Sequence, residues 1–323
     1  MITVKNLTKQ FKTTSKSAGL IAGLRNIWKP EYQTVTAVQD ISFQINQGEM
    51  IGFIGPNGAG KTTTLKMLCG ILYPTSGSVD VLGYKPSDRK NEFLKQISMV
   101  MGQKNQLIQD LPPIDSFELN RETYGISKSE FKETVKELSD VFGLKTILTR
   151  QTRRLSLGER MKCEMAAALL HKPKILFLDE PTIGLDIITQ KKLRQYIKTY
   201  NERYHTTIIL TSHYMDDVKE IADRIIIINH GSLIFDNTLT ALIKKYATFK
   251  TLKLILNQVP TEKTLRKLGL KYEFKYPEIT LQVSPSKIAA VTAHVLKLLD
   301  VDDIDIAETD LTEIATKIFE SAH

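Results

Sequence analysis

The chain has 323 residues, of which 42% are hydrophobic and 25% charged, so it is long enough for about two domains of ordinary soluble composition. No apolar run approaches the ~18 residues that a bilayer-crossing helix needs, and the N-terminus does not have the pattern of a secretion signal. We therefore expect a cytoplasmic protein rather than an integral membrane protein. Its two cysteines, Cys69 and Cys163, match no metal or redox spacing and are expected to pack in the interior.

The net charge is +8, and residues 1–34 carry six lysines and arginines against Glu31 alone. Such a basic region suits an anionic membrane surface and a nucleic acid equally well, and a modest surplus of this kind also serves solubility. Charge alone therefore does not choose a partner.

Residues 1–54 are predicted to form short strands at 2–4, 37–45 and 50–54, with an insertion at about 13–34. Within the insertion, apolar side chains fall on one helical face, and the pair Lys29-Pro30 ends the helix. These side chains are Leu20, Ile21, Leu24, Ile27 and Trp28. The amphipathic segment either contacts a membrane surface or a partner subunit, or packs on its own domain.

A glycine-rich loop lies between the strand at 50–54 and a predicted helix at 63–68. It has the pattern G-x-x-x-x-G-K-[ST] and consists of Gly55, Pro56, Asn57, Gly58, Ala59, Gly60, Lys61 and Thr62, followed by Thr63. The glycines let backbone N–H groups surround an anion, and the helix adds its positive end. Lys61 is predicted to reach the β- and γ-phosphates of a nucleotide and Thr62 to bind Mg²⁺. This loop alone leaves GTPases, kinases, helicases and transport ATPases open.

Residues 105–170 are mostly helical in pattern, and a long helix begins in the segment Leu155-Ser156-Leu157-Gly158-Glu159. Ser156 and Glu159 form a capping-box pattern, which by itself would explain both residues. The same helix start offers a serine hydroxyl and a flexible glycine, and so a second cradle for a phosphate group.

Uninterrupted apolar runs at 174–178, 206–210 and 224–228 predict strands of a parallel sheet that is buried on both faces. Asp179 and Glu180 end the first of these strands, at the sheet edge where α/β proteins build their sites. We expect Asp179 to hold Mg²⁺, and Glu180 to align and deprotonate an attacking water.

His213 follows the strand at 206–210 and is therefore expected beside Glu180, where it is assigned a contact to the γ-phosphate. Asp216 and Asp217 come next and are interpreted as a solvated helix start, a position that favours acidic residues.

Beyond residue 243 the pattern changes to a β-α-β-β-α-β order, which predicts a small ferredoxin-like domain at 244–323. This domain either supports a dimer or acts as a ligand sensor.

The order of motifs along residues 1–243 resembles the ATP-binding cassette (ABC) ATPases. The resemblance implies an α/β fold in which a P-loop, RecA-like core carries an N-terminal antiparallel β subdomain and a helical subdomain at about 105–170. The C-terminal α+β domain is then an accessory. ATP and Mg²⁺ are the implied cofactors, and ATP hydrolysis is the implied activity.

The resemblance also carries residue roles over to this sequence. Catalytic roles go to Lys61, Glu180 and His213. Nucleotide contacts go to residues 55–63, to Phe11, which stacks on adenine, and to Gln103, Ser156, Gly158 and Asp186. The magnesium ligands are Thr62, Gln103 and Asp179. Tyr32 is the alternative to Phe11, and Gln106 is the alternative to Gln103.

A head-to-tail dimer is implied as well, in which Ser156 and Gly158 of one subunit face the γ-phosphate bound by the other. The segment departs from the usual signature at Leu157, where the family has glycine, and at Glu159, where it has glutamine. Glu159 adds negative charge near a polyphosphate and is expected to weaken dimer closure somewhat.

The leucine-containing signature and the insertion after Phe11 are similar to those of ATPases paired with ABC-2-type export permeases. We therefore expect a peripheral subunit on the cytoplasmic face of the cell membrane, in a homo- or heterodimer, docked on a separate ABC-2-type permease. The alternative is a non-transport ABC ATPase acting on nucleic acid or ribosomes, which the basic character favours. The single cassette and the lack of a long heptad segment oppose that alternative, so no nucleic acid partner is expected.

Overall fold

The computed structural model describes residues 1–14, 32–102, 104–212, 215–246, 249–308 and 311–321. The chain divides into two compact units, Met1–Asn237 and Thr238–His323. Most of the predicted insertion at 13–34 lies outside the described residues. Its described ends, 13–14 and 32–34, belong to β-strands, so the strands predicted at 2–4 and 37–45 are longer than the sequence indicated. No helix of the described ranges is long and apolar enough to span a bilayer.

The first unit alternates strands and helices. Its strands are β1 (Ile2–Thr14), β2 (Tyr32–Ile45), β3 (Met50–Ile54), β4 (Ser76–Val81), β5 (Ile97–Met101), β6 (Ile175–Asp179), β7 (Thr207–Thr211), β8 (Arg224–Asn229) and β9 (Ser232–Thr238). Its helices are α1 (Lys61–Leu68), α2 (Asn91–Leu94), α3 (Pro113–Tyr124), α4 (Lys128–Phe142), α5 (Leu157–Leu169), α6 (Ile187–Tyr204) and α7 (Met215–Ile221).

The central element is a six-stranded sheet in the order β5-β6-β7-β3-β8-β9. From β5 to β8 each neighbouring pair is parallel. Alternate residues of β6 enter opposite hydrophobic clusters: Leu176 and Leu178 join one, while Ile175 and Phe177 join the other. Burial on both faces explains why these strands read as unbroken apolar runs, and it confirms the predicted parallel core.

A second sheet, in the order β2-β1-β4, is antiparallel. Its inward side chains, including Ile2, Val4 and Phe43, share a cluster with Phe53 and Phe177 of the central sheet. The predicted N-terminal β subdomain therefore packs on one face of the core. On the other face, the buried side chains Phe117, Phe131 and Met161 of α3, α4 and α5 join the cluster that contains Leu176.

The second unit contains α8 (Leu239–Tyr246), β10 (Lys250–Leu256), α9 (Glu262–Lys267), β11 (Tyr272–Lys275), β12 (Glu278–Val283), α10 (Ile288–Leu298), β13 (Val301–Glu308) and α11 (Leu311–Ser321). Its four-stranded sheet has the order β11-β12-β10-β13, and every pair is antiparallel. This is the split arrangement that the β-α-β-β-α-β order predicts, with its own core around Leu252, Leu254 and Leu281.

Candidate nucleotide site

The glycine-rich loop joins the end of β3 to the start of α1 and forms one wall of a cleft. Gly60 precedes the helix with φ 105°, and no side chain caps its first turn. A Cβ at Gly55 would lie 2.2 Å from the backbone oxygen of Ile228, and one at Gly60 would lie 2.4 Å from that of Ala37. Only glycine therefore fits at both places. Because no side chain caps α1, its first backbone N–H groups are available to an anion.

The cleft has a volume of about 280 Å³. It is lined by Asn57, Gly58, Ala59, Gly60, Lys61, Thr62, Thr63, Lys66, Met101, Lys104, Asp179 and Glu180. The lining therefore brings together the loop, two further lysines and the acidic pair, a combination that suits a polyphosphate with a divalent cation.

Lys61 is only 6% exposed, and its ammonium group donates to the backbone oxygens of Gly55 at 2.7 Å and Pro56 at 3.0 Å. Burial lowers the pKa of Lys61, while the charges of Glu180 and Asp179 act in the opposite direction. An anion in the cleft would favour the charged ammonium in the same way as these carboxylates do.

Thr62 and Asp179 face each other across the base of the cleft. The Thr62 hydroxyl lies 2.9 Å from both carboxylate oxygens of Asp179, and the Thr211 hydroxyl donates to Oδ1 of Asp179 at 2.7 Å. One hydroxyl and one carboxylate, with room for phosphate oxygens and waters, fit the way proteins bind Mg²⁺. The described residues contain no cluster of three or more acidic, histidine or cysteine side chains that would form an all-protein metal cage.

Glu180 is held at the cleft by its backbone. Its φ of 55° is in the left-handed region, and its N–H donates to the backbone oxygen and the hydroxyl of Thr211, at 3.1 Å each. On the other side, the N–H of Gly102 donates to the backbone oxygen of Asp179 at 2.9 Å, and a Cβ at Gly102 would lie 2.3 Å from the oxygen of Glu180. Strained backbone of this kind costs about 1–3 kcal/mol and persists where surrounding structure fixes a functional group.

The predicted capping box at the start of α5 is present. Ser156 Oγ accepts from the N–H of Glu159 at 3.2 Å, and Glu159 Oε2 accepts from the N–H of Ser156 at 2.8 Å. Arg150 adds a hydrogen bond to Glu159 Oε1 at 3.0 Å. The backbone bond from Ser156 is the first cause that lowers the pKa of Glu159, so this carboxylate stays charged and is paired within its own subunit.

Ser156, Gly158 and Asp186 are not among the residues that line the cleft. Asp186 instead caps α6, where its carboxylate accepts from the N–H of Thr189 at 3.0 Å and from its hydroxyl at 2.6 Å. These bonds lower the pKa of Asp186. The structure thus gathers one set of predicted residues in the cleft and leaves the other set at separate helix starts.

The remaining predicted site residues either are not among the residues that line the cleft or lie outside the described residues. Phe11 lies in β1 opposite Val35, with the Lys9 ammonium 5.0 Å from its ring centroid, and Tyr32 is 64% exposed at the far end of the same strand pair. Gln106 donates to the backbone oxygen of Met99 at 2.9 Å and lines a different cavity. Gln103 and His213 lie outside the described residues.

The interpretation of Asp217 as part of a solvated helix start was wrong. Asp217 is 0% exposed, and it accepts hydrogen bonds from the Thr182 hydroxyl at 2.6 Å and from the Ser212 hydroxyl at 2.7 Å. Sequence reasoning also missed Thr211 and Gly102, which hold the acidic pair. A threonine that ends the strand beside Asp179 was the available signal for Thr211.

Residues 38–183 match the family described as "ABC transporter". The chain is 34% identical over 210 residues to the ABC transporter ATP-binding protein NatA of Bacillus subtilis, covering 65% of this chain and 85% of that protein. It is 31% identical over 284 residues to the linearmycin resistance ATP-binding protein LnrL of the same organism, covering 84% and 90%. A solved structure of the ATP-binding cassette MJ0796, described as a dimer in a post-hydrolysis state with ADP and Pi, is similar with a TM-score of 0.62 and 26% identity over 74% of this chain and 99% of that one.

Proposed function

The chain belongs to the ABC transporter family as an ATP-binding subunit with ATPase activity, and from this premise we propose that it works as a head-to-tail dimer that drives export through a separate ABC-2-type membrane permease. The observation that carries the proposal is the division of the site. Lys61, Thr62, Asp179 and Glu180 meet in one cleft, whereas Ser156 caps α5 and is not among the residues that line that cleft.

The cleft supplies the groups that bind ATP and position the reacting atoms. The loop N–H groups and Lys61 bind the β- and γ-phosphates, and Glu180 orients the attacking water and takes its proton. Thr62 and Asp179 would hold Mg²⁺, and the ion would supply positive charge to offset the negative charge of the phosphate oxygens. Phe11 is the proposed adenine contact, and Gln103 and His213 are proposed for Mg²⁺ and the γ-phosphate, respectively.

The second half-site comes from the other subunit. In the capping box the Ser156 hydroxyl accepts a hydrogen bond, so its own proton can be donated to a γ-phosphate. The N-terminus of α5 adds its positive end, and Gly158 allows a close approach of the backbone. ATP held between the two subunits closes the dimer, and hydrolysis removes the contact and lets it open. A dimer is also how the similar MJ0796 cassette is described.

The name of one similar protein supports export. LnrL is named a resistance protein, and resistance fits removal of a compound from the cell. An ABC-2-type permease would supply the membrane path, and this chain would bind at its cytoplasmic face. Copurification from detergent-solubilised membranes tests this part, and recovery with ribosomes instead would contradict it.

The dimer is tested by mixing two inactive variants. K61A should lose ATP affinity because the phosphates lose their ammonium partner, and S156R should lose hydrolysis because a bulky side chain blocks the opposite half-site. In a mixed dimer one composite site keeps both Lys61 and Ser156, so mixing should restore ATPase activity. If the mixture stays inactive although both variants fold and associate with each other, the head-to-tail arrangement of two copies is wrong.

The catalytic base is tested separately by E180Q. The glutamine keeps the shape of Glu180 but cannot take a proton, so ATP should still bind and should trap the dimer, with turnover lowered by about 10²-fold or more. Gel filtration with ATP and a phosphate-release assay measure both effects. Turnover close to that of the wild type would assign the base to another residue.

A further inference from the structure

Asp217 is a buried carboxylate whose oxygens are shared among three donors. Oδ2 accepts from the hydroxyls of Thr182 at 2.6 Å and Ser212 at 2.7 Å, and Oδ1 accepts from the guanidinium of Arg194 at 2.7 Å. Thr182 and Ser212 are each only 1% exposed. A carboxylate taken out of water requires such pairing, because burial without it is strongly unfavourable.

The three donors come from different parts of the unit. Thr182 follows closely after Glu180, and Ser212 directly precedes His213. Arg194 lies on α6, whose N-cap is Asp186. Asp217 itself belongs to α7. One side chain therefore ties the two loops at the carboxyl ends of β6 and β7 to two helices.

Further contacts secure this arrangement from the side of α6. The side-chain amide of Gln190 donates to the backbone oxygens of Thr182 at 3.3 Å and Leu185 at 3.1 Å. Arg194, whose side chain is 8% exposed, also donates to Glu220 at 2.8 Å. The loop that follows Glu180 is thus held by two helices: α7 binds the hydroxyl of Thr182, and α6 binds the backbone oxygens of Thr182 and Leu185.

Stability alone is a weak reason for such an arrangement, since apolar replacement of a buried ion pair is often neutral or favourable. The value of hydrogen bonds to a buried charge lies in their direction, which fixes where each donor sits. Here two of the donors belong to the very loops that carry the proposed base and the histidine.

We propose that Asp217 is a positioning residue for ATP hydrolysis, which binds Thr182 and Ser212 together and so sets the segment of Glu180 against the segment that leads into His213. Through Arg194 it also fixes both segments to α6, the helix that Asp186 caps. The inference rests on the proposed function, because Glu180 must be the base for its placement to matter.

If Asp217 has this role, loss of its contacts should lower the rate of ATP hydrolysis without lowering the affinity for ATP. Lys61 and Thr62 belong to α1 and are not contacts of Asp217, so loss of this arrangement leaves nucleotide affinity in place. The segment that carries Glu180 would lose its anchor at Thr182, and misplacement of a reacting group by about 1 Å can cost 10²-fold in rate.

The test uses T182V and S212A in the full chain. Each variant removes one hydroxyl and leaves the Asp217–Arg194 pair intact, so the protein stays folded where D217N, which breaks the pair, could fail to fold. Each should lower kcat for ATP about tenfold or more, with the affinity for a fluorescent ATP analogue unchanged. Because the two hydroxyls bind one carboxylate, T182V/S212A should lower kcat by less than the product of the single effects.

E220Q is the matched control. It removes the charge of the outer partner of Arg194, keeps an oxygen that can accept the hydrogen bond, and changes none of the three donors to Asp217, so kcat should stay at the wild-type value. Normal kcat in both T182V and S212A would overturn the inference. A fall in kcat that comes with an equal fall in ATP affinity would overturn it too, as would a fall in kcat that comes with a clear fall in melting temperature.

E180Q distinguishes failure of this inference from failure of the proposed function. If E180Q keeps full turnover, Glu180 is not the base. If E180Q loses turnover while T182V and S212A keep theirs, only the positioning role of Asp217 fails.

Discussion

At the scale of residues, the structure explains how this chain accepts an acidic side chain in its signature. Glu159 is bound to the N–H of Ser156 and to Arg150, so its charge is directed into its own helix cap. The expectation that Glu159 weakens dimer closure stays a prediction, and the pairing with Arg150 favours a smaller effect because it offsets the charge. The pair is partly exposed, with side-chain exposures of 47% and 31%, and its effect on stability alone is small.

We predict that R150A weakens ATP-dependent dimerisation more than E159Q does. The first variant leaves a carboxylate without its guanidinium partner beside the incoming phosphates, whereas glutamine keeps the capping box and removes the charge. The expected difference is about three- to tenfold in the ATP concentration for half-maximal dimerisation. Gel filtration in an E180Q background measures it.

The double variant R150A/E159Q provides the control for this prediction. It removes both charges, and dimerisation should return close to the level of E159Q alone. If the double variant is as impaired as R150A, then Arg150 contacts the partner or the nucleotide directly and the compensation argument is wrong.

At the scale of elements, the start of α5 and the loop before α6 are matched to each other. Gly184 has φ 72°, and a Cβ there would lie 2.1 Å from Cδ2 of Leu157. The leucine that distinguishes this signature thus occupies space that any side chain at Gly184 would take. Leu157 is 42% exposed, so it can be displaced when that space is filled.

We predict that G184A and G143A lower the free energy of unfolding by similar amounts, about 1–2 kcal/mol, because both positions require a left-handed backbone. Gly143 has φ 66° with nothing within 4 Å of its Cβ position, which makes it a matched control. G184A should in addition lower ATPase activity, because Leu157 moves at the proposed partner-facing helix start. Urea unfolding and an ATPase assay measure the two effects.

The variant L157G in the G184A background completes this test. Glycine is the residue that the family resemblance implies at position 157, and it removes the side chain that the new Cβ displaces. ATPase activity should therefore recover in the double variant. Equal activity in G143A and G184A would show that the contact between Leu157 and Gly184 has no functional weight.

At the scale of the whole molecule, the candidate nucleotide site lies in one of the two units. Every residue that lines the candidate cleft belongs to Met1–Asn237. The second unit has its own sheet and its own core, and its role as dimer support or ligand sensor stays a proposal.

We predict that a chain shortened to residues 1–237 binds ATP with an affinity within about threefold of the full chain, since every residue that lines the cleft belongs to the first unit. If the second unit supports the dimer, hydrolysis by the shortened chain should fall at low protein concentration and recover at high concentration. Calorimetry and an ATPase titration measure this. Loss of ATP binding in a folded shortened chain would contradict the prediction.

Much of the fold and part of the candidate site could be predicted from local patterns. The glycine loop before a helix, the apolar strands and the acidic pair at a strand end all depend on neighbours in sequence, and the structure places Lys61, Thr62, Asp179 and Glu180 around one cleft. Their roles in the reaction stay predictions, as do those of Phe11, Gln103 and His213.

Other features depend on segments that are distant in sequence. Asp217 resembles any acidic residue at a helix start until β6, β7 and α6 place Thr182, Ser212 and Arg194 around it. The sequence by itself determined the buried strands β6, β7 and β8 of the parallel sheet, the nucleotide loop and the family resemblance, because periodicity and spacing are local properties. It did not indicate the full length of β1 and β2, nor the strands β4, β5 and β9. Only the tertiary structure decided that Asp217 is buried and that Arg150 compensates Glu159, because solvation and charge pairing depend on which distant side chains arrive at the same place.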